Sequence, residues 1–134
     1  MLVGRLGLPQ TGPIATEDGR LYARGALAQT LDQGLAADAG PIQVGLSFRN
    51  RAGAYCRTFQ SAPDRLAGVA CREPQGWAAA TLAAWTPTAG PAYRTAAAVL
   101  PPAVLTSVDA LIAGEPLDAA GERAARAEGW GRGR

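Results

Sequence analysis

The sequence predicts an α+β domain with an N-terminal helix, a four-stranded antiparallel meander carrying a cross-strand disulfide, and a C-terminal αα-hairpin. Three observations predict it. Leu27, Leu31 and Leu35 recur every four residues, and apolar residues then alternate with polar ones from Ile42 to Phe48. Further on, Pro101-Pro102 and Pro116 open two more helical stretches. At 134 residues the chain suits one domain, and a domain of that size buries roughly two-thirds of its unfolded surface.

Residues 1–20 mix Gly and Pro with Thr16-Glu17-Asp18-Gly19 and read as a flexible lead-in to a single domain over 21–130; residues 131–134 read as a disordered tail. The leucine stripe places a helix over about 22–37, stopped by Asp38-Ala39-Gly40-Pro41. Ile42, Val44, Leu46 and Phe48 then mark a half-buried strand with those four side chains on one face. Asn50-Arg51-Ala52-Gly53 turns the chain, and further strands follow over about 54–60, 66–73 and 77–83. The breaks between them are Ser61-Ala62-Pro63-Asp64 and Pro74-Gln75-Gly76. Residues 93–100 suit strand and helix equally. The first C-terminal helix lines up Val104, Val108, Leu111 and Ile112 before Gly114; the second runs to about residue 128 with Leu117, Ala120, Ala124 and Ala127 inward. Glu122 and Arg126 sit at i,i+4, and Trp130, after Gly129, can fold back on the last turn.

Hydrophobic residues make up 48% and charged residues 18%, which excludes wholesale disorder. Alanine and glycine supply much of the apolar share, so the core is expected to be thin. All 13 basic residues are arginine, with neither lysine nor histidine present. That excludes a Ser-His-Asp triad, a Cys-His pair, His metal ligands, a Schiff-base lysine and a P-loop lysine. The net charge of +2 and the scattered arginines give no reason to expect nucleic acid. The chain holds no stretch of about 18 apolar residues, so no membrane-spanning helix is expected in it. The residues after Met1 are too glycine-rich for a signal-peptide core, so an exported chain would carry its targeting segment upstream. The reading is of a non-enzymatic domain without cofactor or metal.

Cys56 and Cys71 fall in adjacent expected strands. If they face one another, Thr58 meets Val69 and Tyr55 meets Arg72, around a loop spanning 61–66. A disulfide there closes a loop worth about 3 kcal/mol. The alternative is two buried reduced thiols; the spacing does not suit C-x-x-C redox chemistry. Arg57 and Arg72 follow the cysteines and lie on the opposite sheet face. With Tyr55 they form either an anion- or partner-binding fork or a solvated face on which Arg72 stacks over Tyr55.

Other candidates have bland accounts. Asp109, Glu115, Asp118 and Glu122 include pairs spaced like an acid/base dyad but are expected to serve capping and solvation. Ser47 lacks a nucleophile elbow. The terminal Gly-Trp-Gly-Arg-Gly-Arg has too few arginines for an RNA-binding tail, and Trp77 and Trp130 are expected in the core.

Several segments together resemble a known family. They are Gly25-Ala26-Leu27-Ala28 with Leu31, Leu46-Ser47-Phe48-Arg49, and Gly53-Ala54-Tyr55-Cys56-Arg57-Thr58-Phe59. Ala67-Gly68-Val69-Ala70-Cys71-Arg72, Ile112-Ala113-Gly114-Glu115-Pro116-Leu117-Asp118 and Gly129-Trp130 complete the set. In this order they resemble the C-terminal extracytoplasmic domain of membrane-anchored anti-sigma factors of proteobacteria, over about residues 20–130; the Cys-Arg pair is also similar, more loosely, to bacterial surface-antigen lipoproteins. The resemblance implies a periplasmic sensory or structural domain of an inner-membrane regulator of transcription, with 1–20 just outside the membrane. It implies a structural disulfide at Cys56 and Cys71 and transfers no catalytic residue. A sigma factor would be bound by a cytoplasmic segment absent here. Partners for this part are an envelope protein, a small ligand or a second copy of the chain. A free-standing structural protein of the envelope is the alternative.

Overall fold

A computed structural model of the chain describes residues 12–86 and 100–131. Six strands form one antiparallel sheet: β1 (Ile14–Glu17), β2 (Arg20–Ala23), β3 (Ile42–Arg49), β4 (Tyr55–Ser61), β5 (Leu66–Glu73) and β6 (Gly76–Ala84). The spatial order is β1-β2-β6-β5-β4-β3. Three helices accompany it among the described residues: α1 (Gly25–Gln33), α2 (Pro102–Leu111) and α3 (Ala119–Ala127). The expected helix-or-strand segment 93–100 lies, but for Leu100, outside the described residues.

The four-stranded meander is therefore corrected to six strands. The two additional strands form a hairpin turned at Asp18-Gly19, both at positive φ, within sequence read as lead-in and helix start. These four-residue strands are too short to display a clear alternation of apolar and polar side chains. Tyr22 and Ala23 belong to β2, where Tyr22 pairs with Ala78 and joins the hairpin to β6. The helix begins after them at Gly25.

The αα-hairpin is also overturned, since α2 and α3 lie on opposite faces of the sheet. One core cluster joins Leu27 and Leu31 of α1, Ala125 of α3 and Trp130 to Val44, Tyr55, Phe59, Ala70 and Trp77. The other joins Val104 and Val108 of α2 to Phe48, Cys56, Ala67, Val69 and Cys71. The link from α2 to α3 runs along the outer edge of β3. There Ala113 N–H donates to Arg49 O (2.8 Å), and Leu117 N–H donates to Ser47 O (2.7 Å). It covers one sheet edge, which would otherwise be a template for unwanted pairing. Because helices cover both faces, every residue of β4 is buried.

Two bulges decide which side chains reach which face. In β3 the register slips between Val44 and Ser47, and the Leu46 N–H is taken up by Thr58 Oγ1 at 2.9 Å. An extra residue in one strand flips everything beyond it to the other side. Val44 thus packs with α1 while Leu46 and Phe48 pack with α2, and the four alternating residues do not share one face as their spacing implies. The second bulge lies opposite Val69 and Ala70 in β6. Nearby Gly68 must stay glycine: a Cβ there would stand 2.2 Å from Thr81 O and 3.0 Å from the Phe59 ring.

Candidate functional site

The cysteines form the expected bond. Cys56 and Cys71 face each other across β4 and β5 with an S–S distance of 2.04 Å and Cα atoms 3.9 Å apart. Thr58 meets Val69 in the same register, which continues to Ser61 and Leu66 and leaves a turn over 62–65 in place of the longer expected loop. Both cysteines lie in the α2-side core, Cys56 fully buried.

Arg57 does not sit on a solvated face. It is completely buried beneath α1 and α3. Nε donates to Ser47 Oγ (2.8 Å), Nη1 to Leu31 O (2.7 Å) and Nη2 to Glu122 Oε2, while the guanidinium lies 4.3 Å from the centre of the Trp130 ring. Glu122 is likewise buried and accepts a second bond from Ala36 N–H at 2.8 Å. Burial pushes the Arg57 guanidinium down to about 10, with Glu122 acting in the opposite direction; it stays charged at neutral pH. Glu122, expected on an exposed face, turns α3 instead. Ala125 is buried with it, while Ala120, Ala124 and Ala127 point to solvent, which reverses the expected inward face. Asp118 does cap α3 as expected, accepting from Gly121 N–H at 2.8 Å.

The reason for this arrangement is the end of α1. The last carbonyls of a helix lack intrahelical partners and carry the negative end of its dipole. Here Thr30 O accepts from Gly34 N–H, Leu31 O from Arg57, Asp32 O from Trp130 Nε1 (2.9 Å) and Gln33 O from Arg126 Nη1 (3.0 Å). Arg126 therefore serves α1 and not the i,i+4 pair with Glu122. Trp130 folds back as expected, its N–H donating to Ala125 O at 2.9 Å. It holds a left-handed conformation, φ 60°, between Gly129 and Gly131 at 71° and 73°. Such a run is costly for a bulky residue, and the docked indole, 2% exposed, sustains it.

Tyr55 is buried and Arg72 half-buried, and the structure brings them together with the exposed Arg49. Arg49 pairs with Tyr55 across β3 and β4, and Arg72 pairs with Trp77 across β5 and β6. The register that joins the cysteines places Tyr55 beside Arg72, so a row Arg49–Tyr55–Arg72–Trp77 crosses four strands. Arg72 approaches Trp77 (6.0 Å to the ring centre), not Tyr55. The Tyr55 ring is covered by Arg49, whose guanidinium lies 4.4 Å from its centre and donates Nη2–H to the hydroxyl at 2.9 Å.

The row borders a cleft of about 310 Å³ lined by Arg49, Tyr55, Arg72, Trp130 and the turn 52–54. Asn50 shapes that turn, its side-chain oxygen accepting from Ala52 and Ala54 N–H, both at 2.9 Å. Arg49 was missed as a site residue. The signal was present, since a hairpin turned at Asn50–Gly53 sets residue 49 opposite residue 55. Among the described residues no three Cys, Asp or Glu side chains gather as a metal site, and no helix is long and apolar enough to cross a membrane. Comparison with family models, curated proteins and solved structures gives no match.

Proposed function

We propose that this chain is the extracytoplasmic, non-catalytic domain of a membrane-anchored anti-sigma factor, folded in the periplasm. The observation that carries the reading is the Cys56–Cys71 disulfide, formed between neighbouring strands inside the sheet. Such a bond is compatible with an oxidising compartment outside the cytoplasm, because cytosolic thiols are kept reduced. The chain has neither histidine, the commonest proton-transfer side chain, nor lysine, the Schiff-base amine, which supports a sensing or structural role. The segments that resemble the anti-sigma family supply the link to transcription, and the sigma-binding part of such a regulator lies in its cytoplasmic segment.

The test is made in cells carrying the full gene. Thiol trapping should find Cys56 and Cys71 oxidised, capture of the full-length protein should bring down a sigma factor, and deletion of residues 12–131 should change transcription from that factor's promoter. Reduced cysteines in untreated cells would remove the compartment from the reading. Oxidised cysteines without sigma-factor capture would turn it towards a structural protein of the envelope.

A further inference from the structure

We propose that residues 118–131, α3 with its Trp130 anchor, form a releasable strap that opens as one unit from a sheet that stays folded. Of these residues only Glu122, Ala125 and Trp130 are buried. The helix itself thus gives the core one methyl group and one charge. The other two helices are anchored by larger apolar side chains, α1 by Leu27 and Leu31 and α2 by Val104 and Val108. What holds the strap is mostly polar and converges on the end of α1. Glu122 accepts from Ala36 N–H and Arg57, Arg126 donates to Gln33 O, and the Trp130 indole donates to Asp32 O.

These ties are readily exchanged for water. Carbonyls at the end of a helix hydrate once they are uncovered. The movement that takes Glu122 from Arg57 also lifts the Trp130 ring off the guanidinium, so the charge meets water as it loses its partner and its desolvation is relieved. Trp130 gives up its left-handed backbone, φ 60° between two glycines of the same sign. A helix of nine residues is too short to persist alone, so release melts α3 and gains its chain entropy. The principal cost is the Trp130 ring, which packs edge-on against Tyr55 and Trp77 with centroids 5.6 and 5.7 Å away. The boundary is Leu117, whose N–H is bonded to Ser47 O on β3. Opened, the groove presents Arg57, the Tyr55 and Trp77 rings and the last carbonyls of α1. The proposal stands independently of the anti-sigma reading.

Native-state hydrogen exchange of the purified chain, followed by NMR at a series of low denaturant concentrations, tests it. The amides of Glu122, Glu128 and Trp130 should share one opening equilibrium, about hundredfold or more above that of the β4–β5 ladder. Ala36 is the decisive reporter. It lies outside every helix and strand, and its N–H is bonded to Glu122 across the groove, so it should exchange with the strap. Glu122→Gln should speed Ala36 and the strap amides about tenfold or more. Val104→Ala, in the core on the other face, should speed the ladder amides and leave the strap amides within about twofold. The unsubstituted chain tests the shared equilibrium whether or not a variant folds. Exchange graded from Glu128 inward, with Ala36 as slow as the ladder, would mean fraying of a helix end and overturn the proposal. So would equal acceleration of strap and ladder by Val104→Ala, because the strap would then open only with the whole domain.

Discussion

The two faces of the sheet are held by different physics. On the α2 side the core is apolar and carries the disulfide, with Phe48, Val69, Val104 and Val108 around the two sulfurs. A hydrogen bond from Thr81 Oγ1 to Ser107 Oγ (2.6 Å) ties α2 to β6 there. On the α1/α3 side the centre is a charged pair, Arg57–Glu122, enclosed by Trp130, Ser47 and the open end of α1. The apolar face tolerates loss in proportion to what is removed, while the polar face does not. A buried charge is held only while every partner is in place.

Glu122→Ala should therefore have the largest effect, about 3–5 kcal/mol in denaturant unfolding, because it leaves Arg57 charged and unpaired in the core. The double change Arg57→Met with Glu122→Leu sharpens the comparison. It should recover stability to within about 1 kcal/mol of the starting protein, since a buried ion pair exchanged for apolar groups of similar volume is commonly neutral. Equal losses in the single and double variants would show that the polar face is held by packing alone.

On the other face, replacing Cys56 and Cys71 together by alanine should cost about 3 kcal/mol by chain-entropy reasoning over a separation of 15 residues. Reduction of the native protein should lower its melting temperature to a similar degree. A melt unchanged by reductant would place the stability of this face in α2 packing and not in the covalent bond.

The smallest effect expected is with pH. Arg57 is held below its ordinary value, so the unfolded chain binds that proton more tightly; its contribution is constant below pH 10 and stability rises as the folded guanidinium discharges above it. For Tyr22, burial and the Glu73 carboxylate raise the hydroxyl, and its contribution is lost only as alkali deprotonates it in the fold. Neither group titrates between about pH 6 and 9, so unfolding midpoints measured across that window should be level. A slope there would reveal a titrating group that the charged face does not account for.

Local pattern made β4, β5, β6 and both C-terminal helices legible, because each has a period or a break of its own. Cys56 and Cys71 fixed the pairing of β4 with β5 through a single register. The β1–β2 hairpin is not legible because its strands are only four residues long and its Asp18-Gly19 turn resembles a loop. The cleft was half legible: Tyr55 and Arg72 follow from that register, while Arg49 needed the preceding hairpin to be extended to its last pair.

What the chain determined locally was where strands, turns and helices fall and which cysteines meet, since these depend on neighbours in sequence. Tertiary structure alone decided which face each element covers. One extra residue in β3 sent Val44 and Phe48 to opposite sides, and a buried arginine drew Glu122 inward past the alanines beside it. The physical reason is that burying a guanidinium requires partners for its donors. Those partners came from α1, β3 and α3, segments that periodicity treats as unrelated.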